Sequence, residues 1–233
     1  MEEIDVVFVV TTHATHGKIT LEALKAGKAV FVEKPLTLSL DELREIEDFL
    51  SEKGGYFTVG FNRRFSPHTA FLRKFLSRPF QLNYLVDAGK IEEKHWIYSE
   101  GGRIIGEAIH FVDYALFLAG GEEPKAFISE SGDGGIITLR WPDNSIASIT
   151  YGTFGGKLKK EEITLMCGGK TVKVEDFKLS YSHKEKFRTR FMDKGQANLI
   201  KAFFDGLKDG KPPIPYNEIF ISHRLLLPKP DPV

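Results

Sequence analysis

Two short stretches of this 233-residue chain hold residue types that move protons. The first is Glu33-Lys34-Pro35, directly after the apolar run Ala29–Val32. A lysine at the end of a buried strand, held by a proline, loses hydration and can exchange a proton with a hydroxyl or carbonyl. The ordinary reading is a turn proline beside a surface charge. The second stretch is Gly101-Gly102-Arg103-Ile104-Ile105-Gly106-Glu107-Ala108-Ile109-His110-Phe111-Val112-Asp113. Glu107 and His110 are three apart, with Asp113 one turn further on, so a helix places all three on one face. An acid there can orient an imidazole as proton donor or acceptor near neutral pH. A solvated polar stripe is the plain alternative. The apolar remainder of the segment and the paired glycines, which let backbone approach closely, weigh against it.

The elements that must position these residues read clearly. Ile4–Val10 (IDVVFVV) is a β-branched and aromatic run, as in a strand covered on both faces of a parallel sheet. A helix over 16–26, stopped by Gly27, leads to a strand over 29–33. Ser39 with Glu42 predicts a capping box and a helix to about residue 53, and a third strand follows over 56–61. Strand–helix alternation of this kind implies right-handed crossovers and a parallel sheet. After residue 61 the pattern predicts a helix over 67–77, a strand over 80–87 and a helix over 103–119. Strands over 124–130, 135–140, 145–152, 161–167 and 170–175 come next, then helices over 194–208 and 216–226. The fold class is therefore α/β plus α+β: the carboxyl-terminal half of a Rossmann-type parallel sheet, then a domain with an open, mainly antiparallel sheet and helices. Residues 1–61 read as an incomplete dinucleotide-binding domain. Residues 62–233 read as a substrate-binding and oligomerisation domain whose last helix packs back on the first. The proline-rich end, 228–233, is expected to fray.

Ligands of open parallel sheets bind outside the carboxyl ends of the strands. Those ends here deliver Thr11, Thr12, His13 and His16, then Glu33-Lys34-Pro35, then Asn62, Arg63 and Arg64. Arg63, Arg64, Arg103 and Trp96 have the chemistry to bind a phosphate or stack on a sugar ring, and equally that of packing and surface charge. Lys+Arg and Asp+Glu are both 32, so the formal charge is zero and nothing favours nucleic acid or an anionic membrane. The early apolar run is too short to span a bilayer or serve as a signal segment. One cysteine, Cys167, permits no intrachain disulfide, which fits the cytoplasm. The histidines are scattered without metal-ligand spacing, so no metal is expected.

At these residues the chain resembles the glucose-fructose oxidoreductase / inositol dehydrogenase (Gfo/Idh/MocA) family. IDVVFVVTTHATHGKITLEALKAGKAVFVEKP is similar to the family's fourth strand, its T-P-x-x-x-H loop and its E-K-P motif, with Thr12 in place of the usual proline. VGFNRRFSP and DKGQANLIKAFFDGLKDGKPPIP resemble later family segments. VDAGKIEEKHWIYSEGGRIIGEAIHFVD resembles a branch often fused to an alcohol-dehydrogenase-like module. The resemblance implies hydride transfer between NAD or NADP and a hydroxyl or carbonyl of a sugar or nucleotide sugar. In that scheme Lys34, His110 and Glu107 are catalytic. Thr11, Thr12, His16, Glu33 and Pro35, the last after a cis bond, lie at the cofactor. Asn62, Arg63, Arg64, Arg103, Trp96 and Asp113 face the substrate. A homodimer or homotetramer through the antiparallel sheet is implied too. Many members carry an aspartate four residues before the catalytic histidine. Here that position is Gly106 and the acid is Glu107.

The family pattern opens with a strand, a G-x-G-x-x-G turn into a helix, and an acid about 20 residues on. No such fingerprint occurs in these 233 residues. The missing part amounts to about 60 residues, or two βαβ repeats. Impaired cofactor binding in this chain is thus expected. The alternatives are a fragment or misplaced start, a natural short form, and a sheet completed by another chain. A non-catalytic remnant serving as an oligomeric or partner subunit is the competing function.

Overall fold

The computed structural model describes residues 3–156 and 158–228. The chain divides into two compact units: residues 1–61, 96–109 and 199–233 form one, and 62–95 and 110–198 the other.

The first unit is built on three parallel strands, β1 (Val6–Val9), β2 (Ala29–Val32) and β3 (Phe57–Val59), in the order β1-β2-β3. Register runs Val6↔Ala29 to Val9↔Val32 and Val30↔Phe57 to Val32↔Val59. The crossovers are α1 (His13–Lys25) and α2 (Leu40–Lys53). The central strand is buried along its whole length, as its unbroken apolar run demands. Helix α1 begins three residues earlier than the periodicity predicted, because Thr12 takes the extended cap conformation and polar His13 and Ala14 already wind. The capping box on α2 is half realised. Ser39 Oγ accepts from the Asp41 and Glu42 amides, but Glu42 Oε2 accepts instead from Thr37 Oγ1 at 2.5 Å, and the Ser39 amide donates to Thr37 Oγ1. Ser39→Ala removes the acceptor for two helix amides, and chemical denaturation should register a loss of about 1 kcal/mol. The same unit holds most of α5 (Gln196–Asp209) and all of α6 (Tyr216–Leu226), from which Phe203 and Ile219 enter the core.

The second unit carries α3 (Pro67–Arg73), β4 (Phe80–Asp87), most of α4 (Ile109–Leu118) and seven further strands. These are β5 (Lys125–Ser131), β6 (Gly134–Arg140), β7 (Ile146–Gly152), β8 (Glu161–Cys167), β9 (Lys170–Glu175), β10 (Leu179–Tyr181) and β11 (Lys186–Arg188). They form one sheet in the order β11-β10-β9-β8-β4-β7-β6-β5, with β4·β7 its parallel pair. Alternation along β4, β7 and β8 buries one face. Phe111 and Tyr114 of α4 meet Tyr84 on that face, with ring centroids 4.9 and 5.7 Å apart. Leu85, Phe127 and Ile136 remain about half exposed (49%, 54% and 49%). The three-residue strands β10 and β11 were not anticipated from sequence.

The helix expected over 103–119 is present, helical from 102 to 118, but it is not α-helical throughout. Residues Ile104–Ala108 wind as a π-helical turn before α4 begins. The face shared by Glu107 and His110 at α-helical spacing therefore does not carry over. Gly101 and Gly102 both take left-handed backbone, φ +83° and +74°, and this conformation is what calls for glycine there. The end of the chain from 229 on lies outside the described residues.

Candidate active site

In the first unit, the carboxyl ends of β1 and β2 bring the expected rim together. The Lys34–Pro35 peptide is cis. Lys34 Nζ donates to the carbonyl of Gly106 at 2.7 Å, so the lysine reaches from the end of β2 to the π-helical turn. The His16 ring lies between two carbonyls, Nδ1 2.7 Å from Pro35 O and Nε2 3.0 Å from Thr11 O. It thereby ties the turn after β2 to the loop after β1. Thr11 Oγ1 and Thr15 Oγ1 share a hydrogen bond of 2.6 Å, and Thr15 Oγ1 donates to Thr12 O. Glu33 Oε2 accepts from the Lys34 amide. Arg103, nearly buried, bonds Glu107 at 3.3 Å one helical turn on.

The turn that carries Lys34 is fixed from behind. The Leu36 amide donates to His223 Nε2 at 2.8 Å, and His223 Nδ1 faces the Ile219 carbonyl at 2.7 Å. A carbonyl only accepts, so Nδ1 carries the proton and Nε2 is the acceptor. Burial drives the His223 pKa down to about 4, and the Ile219 carbonyl opposes this only in part.

His13 is the residue that sequence reading undervalued. It opens α1, is 5% exposed, and packs edge-on against Trp96 with centroids 4.7 Å apart. A side chain at position 106 would meet it. A Cβ there would stand 2.7 Å from His13 Cε1 and 3.0 Å from Ile97 Cδ1, so Gly106 is required by close approach. Burial first, then Lys34 and His16, lower the His13 pKa to about 4, with Glu100 pulling the other way. The ring is neutral at physiological pH. A histidine in the polar loop TTHATH was visible in sequence; Glu100, whose carboxylate accepts from the Ala14 amide at 3.1 Å, had no signal at all.

The remaining named residues lie in the second unit. Asn62 Nδ2 donates to Lys194 O. Arg63 makes a bidentate pair with Glu161, at 2.8 and 2.7 Å, and stacks over Phe111. Arg64 does the same with Asp113, at 2.8 and 2.6 Å, over Phe117. All four side chains of these pairs are nearly or fully buried. Asp113 is thereby engaged by Arg64. His110 sits in the first turn of α4, next to Phe111. Among the described residues no group of three His, Cys, Asp or Glu is placed to hold a metal ion, and no helix is long and apolar enough to cross a membrane.

Comparison with known proteins agrees with this arrangement. The model of an oxidoreductase family with an NAD-binding Rossmann fold matches residues 1–61. The chain is 35% identical over 139 residues to scyllo-inositol 2-dehydrogenase (NAD(+)) of Bacillus subtilis, an alignment covering 58% of this chain and 40% of that protein. It is 25% identical to myo-inositol 2-dehydrogenase of Thermotoga maritima, covering 90% of this chain and 71% of that one. The crystal structure of a dehydrogenase (MviM) from Clostridium difficile superposes with a TM-score of 0.79 at 22% identity, covering 95% of this chain and 77% of the other. The chain thus spans less than half of the Bacillus relative. Sequence likeness over the first sheet and fold likeness over nearly the whole chain converge: residues 1–61 match an oxidoreductase family with an NAD-binding Rossmann fold, and the chain shares the fold of solved dehydrogenases.

Proposed function

We propose that these residues form part of an NAD(P)-dependent dehydrogenase acting on a sugar or cyclitol, with Lys34 as the group that meets the reacting hydroxyl. The observation that carries this is the placement of Lys34. Its ammonium is held at the carboxyl end of a fully buried parallel strand and anchored by a cis-proline turn, with a polar rim around it. The inositol 2-dehydrogenases among its relatives support the substrate class.

The residues fit a nicotinamide cofactor in one respect. His13 Nδ1, in the first turn of α1 and close against Gly106, is buried without a hydrogen-bond partner, an orphan that a cofactor's polar edge would satisfy. Thr11, Thr12, His16, Glu33 and Pro35 would hold that edge, and the bound cofactor supplies hydride transfer at C4. Lys34 positions the substrate hydroxyl and takes or returns its proton. His110 is the second proton carrier and Glu107 the accompanying acid. Arg103 and Trp96 would serve the substrate end of this rim, while Arg63 and Arg64, paired with Glu161 and Asp113, and Asn62, bonded to Lys194 O, order the second unit. These residues hold no glycine cradle for a pyrophosphate, so we expect weak NAD(P) affinity from this stretch alone. The half-exposed Leu85, Phe127 and Ile136 on the open sheet support a homodimer or homotetramer.

The test is NAD(P)-dependent oxidation of a panel of cyclitols and aldoses, followed by reduced-cofactor absorbance. Lys34→Ala should lower kcat/KM by about 100-fold or more while the fold is retained. Turnover that survives this substitution would overturn the assignment.

A further inference from the structure

Lys34 Nζ donates to the Gly106 carbonyl across 72 residues of sequence, at 2.7 Å. That carbonyl belongs to the π-helical turn Ile104–Ala108, and such turns concentrate at functional sites. How near the turn comes to the rim is set by the side chains packed against its glycine. A Cβ at position 106 would stand 2.7 Å from His13 Cε1, 3.1 Å from His13 Nδ1 and 3.0 Å from Ile97 Cδ1. The Ile97 methyl ends a flexible side chain and can yield. The His13 ring is confined: it is 5% exposed, opens α1 and packs edge-on against Trp96. Gly101 and Gly102 take left-handed backbone, but Gly106 does not. Space, and not backbone freedom, is therefore what calls for glycine at 106. The close approach brings a backbone carbonyl to the lysine. A carbonyl suits a lysine that changes its protonation state, because amine and ammonium both have an N–H to donate.

We propose that Gly106 is a positioning residue for proton transfer at Lys34, acting through its carbonyl, with His13 as the stop against which its turn rests. The proposal rests on the reading of Lys34 as the group that meets the reacting hydroxyl. One N–H given to a fixed carbonyl sets the torsion about the terminal carbon–nitrogen bond. It thereby sets the direction in which the amine's lone pair meets the hydroxyl proton. A turn pushed away from the rim leaves Lys34 present but misaligned.

Gly106→Ala is the test, since alanine suits a helical backbone better than glycine and adds only the Cβ that meets His13. With the best substrate of the cyclitol and aldose panel, kcat should fall about 10- to 100-fold while KM hardly changes. The Lys34 amine is followed by NMR in the chain carrying isotope-labelled lysine, its signal assigned by disappearance in Lys34→Met. Its protons should be protected from exchange in the parent and lose that protection in Gly106→Ala. Adding His13→Ala removes the collision and should return the signal to its parental position. A glycine needed only for stability would leave the signal unmoved. A signal unprotected in the parent, one unmoved by Gly106→Ala, or one that moves while kcat stays the same would overturn the proposal. Should Gly106→Ala not fold, the parent and the double variant still decide, through the signal alone. If no polyol is oxidised yet the signal responds as described, the dehydrogenase reading fails and the hold of Gly106 on Lys34 stands.

Discussion

Glu161→Leu should cost the second unit about 3–5 kcal/mol and leave it largely unfolded near neutral pH, the largest stability effect expected from any single substitution in this chain. Glu161 is 1% exposed and takes four hydrogen bonds: two from Arg63, one from Tyr84 Oη at 2.5 Å and one from Lys194 Nζ at 2.5 Å. Burial alone would raise the Glu161 pKa, but the guanidinium and ammonium overcome it and hold it down at about 2. Two cations therefore rely on one buried carboxylate. Removing it strands Arg63, 9% exposed at the side chain, with no other carboxylate bonded to it among the described residues. Leucine restores the volume but not the charge. Chemical denaturation followed by circular dichroism should show the loss. The double substitution Arg63→Met with Glu161→Leu should recover part of it, because exchanging this pair for apolar groups removes its desolvation penalty together with its attraction, while Lys194 and Tyr84 still lose their acceptor. A single variant within about 1 kcal/mol of the parent would mean that solvent reaches this pair. Since Glu161 is fully charged well above its folded pKa, the stabilisation it gives is present at neutral pH and is lost only as pH falls toward about 2.

Much of the frame was legible because local pattern and burial agree. IDVVFVV and AVFV read as covered parallel strands and became β1 and β2; β2 is buried throughout, but β1 is not covered on both faces, because it forms the edge of the sheet and leaves Phe8 43% and Val10 68% exposed. The alternating runs 80–87, 161–167 and 170–175 emerged within a residue of their predicted bounds, because one face of that sheet is open and period two is unambiguous. What was not legible depends on partners far along the chain. Arg63 and Arg64 look like ligand-binding cations at a strand end. Their carboxylates lie 98 and 49 residues away, and no local signal announces them. The π-helical turn at 104–108 has the same composition as an α-helix, and only the close approach of His13 to Gly106 marks the place as special. The strands β10 and β11 are three residues each and gain their order from neighbours. At the rim, the residue types of Glu33-Lys34-Pro35 were readable, while the carbonyl that receives Lys34 was not, since any residue can offer one.

His223 shows the same dependence and leads to a second large effect. Its Nε2 accepts the Leu36 amide from 187 residues away, immediately behind the Lys34–Pro35 turn. This bond exists only while the ring is neutral. In the unfolded chain the imidazole titrates near 6.5; in the fold, burial lowers that to about 4. Between those values the unfolded state binds the additional proton. Stability is therefore whole above about pH 6.5 and falls as pH drops toward 4, by about 3 kcal/mol from this residue alone. His13 contributes in the same direction over the same window, and His68, also lowered first by burial, adds to it. His223→Leu separates the contributions. At about pH 7 it should destabilise by about 1–3 kcal/mol, because the Leu36 amide loses its acceptor in a dry site. At about pH 4.5 the deficit should shrink or reverse, since the variant no longer pays to keep an imidazole neutral. Urea denaturation of both proteins at these two pH values decides the matter. A deficit that stays constant or grows on acidification would show that folding does not lower the His223 pKa. The turn behind Lys34 would then be held by packing, and the pH dependence of this unit would have to arise from His13.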